Sequence, residues 1–132
     1  MGIRVPDFDA AIAWYSEKLD FRATPGFPMG DKTFGFVSPA TDDGFSFEVM
    51  GGPGADNRPA YEDLPGSLKL TGWHHVCFRV DDVHKTIAEL QSRGVTIVSE
   101  PRDVAEIGRR FAFFADPWGN LFEVIQPIGK QR

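Results

Sequence analysis

The sequence predicts an α+β protein in which one βαβββ unit is used twice. Three observations carry that expectation. Displaced by 75 positions, the chain matches itself: Ile3 meets Phe78, Arg4 meets Arg79, Val5 meets Val80 and Asp7 meets Asp82. Far downstream, at the same displacement, Phe47-Glu48-Val49 meets Phe122-Glu123-Val124. Each half opens with a short apolar strand and one amphipathic helix, then runs through three β-rich segments. The 132 residues suffice for one domain, or for two very small units sharing a core.

The first module covers residues 1–52. Its opening strand is Gly2–Val5, and Asp7 is the expected helix N-cap. Phe8, Ile12, Tyr15 and Leu19 follow at spacings of four, three and four, one apolar stripe of a helix. The remaining strands are expected at Phe21–Thr24, Thr33–Ser38 and Phe45–Met50, with Asp42-Asp43-Gly44 as a turn. The second module covers 73–127. Trp73–Val80 is its first strand, Asp82 its N-cap, and Val83, Ile87 and Leu90 its helical stripe, closed by Gly94. Its later strands are expected at Val95–Ser99, Arg109–Ala115 and Leu121–Gln126, with Asp116-Pro117-Trp118-Gly119-Asn120 as the last turn. After the helices the match is better at 74, where Leu19-Asp20-Phe21 meets Arg93-Gly94-Val95.

A linker, 53–72, joins the modules, and 128–132 form a short tail. The linker carries Pro53, Pro59 and Pro65, and regular structure is not expected in it. A lid, an arm onto a second subunit and an ordinary surface connection are all open readings. Gly51-Gly52-Pro53-Gly54 lacks the Lys-Ser/Thr ending of a phosphate-binding loop.

Hydrophobic residues make up 42% and charged residues 25%, which excludes a disordered or fibrous chain. The net charge of −5 argues against nucleic acid or an anionic membrane as partner. The apolar runs are too short to span a bilayer, and no signal peptide is expected at the start. One cysteine allows no intrachain disulfide, so a cytoplasmic setting is expected.

Strand alternation sorts the polar residues. Val76, Phe78 and Val80 share one face, and His75, Cys77 and Arg79 the other. Phe122 and Val124 oppose Leu121, Glu123 and Ile125; Phe47 and Val49 oppose Ser46, Glu48 and Met50. A carboxylate among apolar strand residues is costly to bury without a cation or an Arg as partner. Taken alone, either glutamate could equally face water. Their equivalence in the repeat favours a shared role.

Trp73-His74-His75-Val76-Cys77-Phe78-Arg79-Val80-Asp81-Asp82 and Asp116-Pro117-Trp118-Gly119-Asn120-Leu121-Phe122-Glu123 strongly resemble the vicinal oxygen chelate superfamily. That group holds glyoxalase I, bleomycin and fosfomycin resistance proteins, methylmalonyl-CoA epimerase and extradiol dioxygenases. The resemblance covers nearly the whole chain. It implies a single glyoxalase-like domain, 1–132, with two tandem βαβββ modules forming a cupped mixed sheet, helices on its outer face. It further implies a divalent metal ion held by His75, Glu123 and Glu48. The fourth family position falls immediately before Met1. A start further upstream, a clipped strand and an incomplete site are all open explanations. His74 is one residue out of register and is expected to point to the opposite face. Imidazole and carboxylate donors suit Zn, Ni, Co, Mn or Fe without choosing among them.

Arg4 and Arg79 are candidates to bind an anionic substrate group, or equally to pair with acids. Cys77 is expected to be a buried small hydrophobe. His84 is expected to be solvated, and Trp118 to wall a cavity or cap its module. The leading functional class is a metal-dependent lyase, isomerase or epimerase with Glu123 or Glu48 as proton carrier. The alternatives are an Fe(II) extradiol-type dioxygenase and a metal-free, bleomycin-resistance-like small-molecule binder. The resemblance also implies a homodimer.

Overall fold

The computed structural model describes residues 1–129. The expected tail 128–132 falls partly outside the described residues. The chain divides into two compact units, Met1–Asn57 and the residues from Arg58 onward.

In the first unit, β1 (Gly2–Val5) leads into α1 (Phe8–Leu19), then β2 (Arg22–Ala23), β3 (Phe27–Met29), β4 (Lys32–Ser38) and β5 (Phe47–Gly51). The sheet order is β1-β5-β4-β2, with β3 also on β4. β1 runs parallel to β5, and the other pairs are antiparallel. Ile3, Val5, Phe47 and Val49 turn to the core with Val37, and the helix presents Ala11 and Tyr15 to it. Phe8 enters a gap that only glycines leave open: a Cβ on Gly51 would lie 2.5 Å from the Cα of Phe8, and one on Gly35 2.8 Å from its ring.

In the second unit, α2 (Leu64–Ser67) precedes β6 (Val76–Arg79) and α3 (Val83–Ser92). Then come β7 (Thr96–Val104), a 3₁₀ turn at Ala105–Ile107, β8 (Arg109–Ala115) and β9 (Leu121–Pro127). The sheet order β6-β9-β8-β7 repeats that of the first unit, again with one parallel pair, β6 with β9. Val83, Ile87 and Leu90 from α3 pack with Phe114, Phe122 and Val124 from the sheet.

The internal repeat is a repeat of register. Gly2, Ile3 and Arg4 face Glu48, Val49 and Met50. Their counterparts Cys77, Phe78 and Arg79 face Glu123, Val124 and Ile125. Asp7 caps α1 through the N–H of Ala10 at 3.0 Å, and Asp82 caps α3 through that of Lys85 at 3.0 Å. The local slip to 74 also has a physical basis. Asp20 at φ 58° and Gly94 at φ 81° are equivalent left-handed residues that end the two helices.

Four expectations need correction. The strand expected at Trp73–Val80 begins only at Val76. β7 continues past Ser99 to Val104, through register shifts that break its alternation. A short additional strand, β3, lies between the strands expected at Phe21–Thr24 and Thr33–Ser38. The linker holds the α2 turn, which Asp63 caps by accepting from the N–H of Gly66 at 2.7 Å.

Candidate functional site

β6 and β9 bring two of the expected ligands together. Cys77 pairs with Glu123, and His75 stands two residues earlier, just before the start of β6. The Nε2 atom of His75 lies 3.4 Å from Oε1 of Glu123. Their side chains are only 30% and 16% exposed. Phe113, opposite Glu123 on β8, supplies an edge-to-face ring 5.1 Å from the His75 ring. The imidazole is thereby held by an aromatic contact as well as by polar ones.

His74 departs from expectation. Residues 73–75 precede β6 and do not follow strand alternation. The ring of His74 stands at 85° to that of His75, and the two Nδ1 atoms are 2.8 Å apart. Nε2 of His74 lies 2.9 Å from the Ser67 hydroxyl, which is buried at 3% exposure. The contact between Ser67 and His74 has no signal in the sequence, because a linker serine carries no motif.

Cys77 also differs from expectation: it is exposed, on the same face as Glu123. Partial burial, then a hydrogen bond to Glu123 and that carboxylate's charge, push its thiol up to about 12. It is a protonated donor, not a nucleophile.

Asp116, 4% exposed, belongs to the fold. Its carboxylate accepts from the backbone N–H groups of Trp118 at 3.0 Å and Asn120 at 2.8 Å, and from the Asn120 amide at 2.7 Å. The Asp116–Asn120 motif is thus an Asx-type turn that sets β9, and hence Glu123, in register.

In the first unit Glu48 lies on β5 at the position equivalent to Glu123, half-buried between Gly2 and Phe36. Among the described residues Arg4 pairs with no acid. Its guanidinium donates to the carbonyls of Val5, Met50 (3.2 Å), Gly52 (2.9 Å) and Pro53 (2.8 Å), tying the end of β5 to β1. Its counterpart Arg79 is exposed and has no hydrogen bond or ion pair among the described residues.

Among the described residues no group of three or more His, Cys, Asp and Glu side chains is set to hold a metal ion. The pair His75 and Glu123 nevertheless fits two corners of such a site. Donors bound at about 2.0–2.2 Å in a tetrahedral arrangement stand roughly 3.4 Å apart. The observed separation is 3.4 Å.

This chain belongs to the Glyoxalase/Bleomycin resistance protein/Dioxygenase superfamily, whose family model matches residues 1–124. Its two-sheet α+β architecture is the fold of that superfamily. The uncharacterized protein YurT of Bacillus subtilis (strain 168) is 33% identical over 125 residues, 94% of each chain. A probable lactoylglutathione lyase of Synechocystis sp. is 26% identical, over 98% of this chain and 94% of its own. A 2-epi-5-epi-valiolone epimerase of Actinomyces sp is 29% identical, over 92% of this chain and 63% of its own. Among solved structures, glyoxalase I from Zea mays is 27% identical with a TM-score of 0.72, matching 96% of this chain and 45% of that one.

Proposed function

We propose that this chain is a divalent-metal-dependent enzyme of the lyase, isomerase or epimerase type, moving a proton on a small oxygenated substrate. The observation that carries the reading is the 3.4 Å approach of His75 Nε2 to Glu123 Oε1 in a partly enclosed, aromatic-walled position. A lone pair and a carboxylate oxygen so placed need a cation or a proton between them. Relatives named as a lyase and an epimerase support the enzyme class.

His75, Glu123 and Glu48 are the proposed ligands, and Glu123 and Glu48 the proposed proton carriers. The bound ion would polarise adjacent substrate oxygens as a Lewis acid. Glu123 or Glu48 would take a proton from the carbon next to a substrate carbonyl and return it to a neighbouring atom or to the other face. Glu48 favours this chemistry over iron-dependent ring cleavage, which needs no carboxylate from the first module. Cys77 donates to Glu123 and helps hold the carboxylate. Arg79, exposed on the same face of β6, is proposed to receive the substrate's anionic group. The carbonyl contacts of Arg4 favour a buttressing role for it.

A cytoplasmic homodimer belongs to the same reading. The single cysteine supports the compartment. Trp73 at 84% exposure and Leu68 at 70% support the association.

The test follows solvent deuterium into hemithioacetals, 2-substituted acyl thioesters and related carbonyl compounds. Metal-dependent incorporation that is lost in Glu123→Gln supports the proposal. Oxygen uptake with catechols and iron, without exchange, assigns a dioxygenase instead. Tight binding of an unchanged ligand by metal-free protein assigns a sequestering protein.

A further inference from the structure

We infer that Ser67 and His74 are positioning residues that fix the tautomer of His75, so that its Nε2 lone pair is the atom turned toward Glu123. The inference deepens the metal reading above and rests on it for its purpose, but its geometry stands on the second unit alone.

The chain of contacts has only one consistent direction. The Ser67 hydroxyl lies 2.5 Å from the carbonyl oxygen of Leu64. A carbonyl only accepts, so the single hydroxyl proton is committed there. Toward Nε2 of His74, 2.9 Å away, Ser67 can then only accept. His74 therefore carries its proton on Nε2, and its Nδ1 is a bare acceptor when the ring is neutral. Across the 2.8 Å contact between the two Nδ1 atoms, the proton must belong to His75. A neutral His75 with its proton on Nδ1 has its lone pair on Nε2, the atom 3.4 Å from Glu123. Metal-binding imidazoles are commonly oriented through their other nitrogen, usually by a carboxylate or carbonyl. Here a second histidine, itself oriented by a buried serine, fills that position.

Local structure explains why the relay holds its direction. Asp63 caps α2 through Gly66 N–H, which sets the turn that brings the Leu64 carbonyl over Ser67. The segment 73–75 lies outside the β6 ladder, which frees His74 to turn beside His75. Adjacent residues inside a strand would face opposite ways.

The experiment is long-range ¹⁵N–¹H NMR on the full chain with ¹⁵N-labelled histidine, metal-free, at a pH where both rings are neutral. It is followed by Zn²⁺ titration of the same samples. The expected spectrum gives His75 a protonated Nδ1 and a pyridine-type Nε2, and gives His74 the reverse. Ser67→Ala should mix the His75 tautomers and weaken Zn²⁺ binding about tenfold. Ser67→Thr, which keeps a hydroxyl, should restore both. A wild-type His75 protonated on Nε2, or a Ser67→Ala spectrum unchanged at His75, would overturn the inference. If the tautomers are as stated but Zn²⁺ does not bind the wild type, the relay stands and the metal reading fails.

Discussion

Arg4 and Arg79 show how equivalent residues diverge. Both occupy the same register position of their sheets, yet Arg4 is committed to backbone carbonyls and Arg79 is open to solvent. Arg4→Met should therefore destabilise the fold by about 2 kcal/mol, given roughly 1 kcal/mol per net hydrogen bond and incomplete loss. Urea denaturation reads that cost, and KM should change little. Arg79→Met should do the reverse, raising KM for an anionic substrate at unchanged stability. Cys77 gives a second prediction at this scale. With its thiol pushed up to about 12, alkylation of the folded, metal-free protein at pH 8 should be at least about 100-fold slower than after unfolding. The raised value also sets a sign for stability. The folded state keeps the proton longer, so this contribution is full below the ordinary thiol value of about 8.5 and is lost as pH rises toward about 12. At this scale the sequence was partly legible. The pairing of β6 with β9 accounts for the approach of His75 to Glu123. His74 was misread because alternation ends before Val76, and Ser67 because its contact joins segments that carry no common pattern.

The elements were legible where one buried face repeats. The α3 stripe and the Asp7 and Asp82 caps follow from spacing and side-chain chemistry, and both caps form as read. Asp82→Ala should cost about 1 kcal/mol by the same denaturation measurement. Gly51→Ala should cost more, about 2–3 kcal/mol, because its Cβ would meet the backbone of Phe8. What escaped reading were elements too short or too exposed to carry a repeating apolar face. β3 is exposed throughout, and α2 is a single turn whose Asp63 and Pro65 signal was hidden among linker prolines and glycines. β7 outran its expected end because bulges break the period that defined it. An ion pair supports that extension: Asp103 and Arg110, directly opposite across β7 and β8, meet at 2.7 and 3.0 Å. The Arg110 guanidinium holds the Asp103 carboxyl below its ordinary value. Its support is therefore present above the unfolded value near pH 4 and lost as pH falls through the lower folded value. The melting temperatures of Asp103→Asn and wild type should converge as pH is lowered through the acid range.

At the scale of the whole chain, the repeat was legible because duplicated registers keep buried side chains at a constant displacement. Phe36 and Phe113, which face Glu48 and Glu123, are displaced by 77 instead. The connection into the last strand is two residues longer in the first unit, so a single displacement could not align every strand. Function is less legible because one fold serves many chemistries, and only the site distinguishes them. The proposal that His75, Glu123 and Glu48 are ligands of a divalent ion is open to direct measurement. Equilibrium dialysis of the full chain against Zn²⁺, Ni²⁺, Co²⁺ and Mn²⁺, with metal quantified per chain, tests it most directly. One ion per chain is expected in the wild type, with at least about tenfold weaker binding in His75→Ala, Glu123→Gln and Glu48→Gln, each still folded. No stoichiometric ion in the wild type, or binding indifferent to all three substitutions, would contradict it.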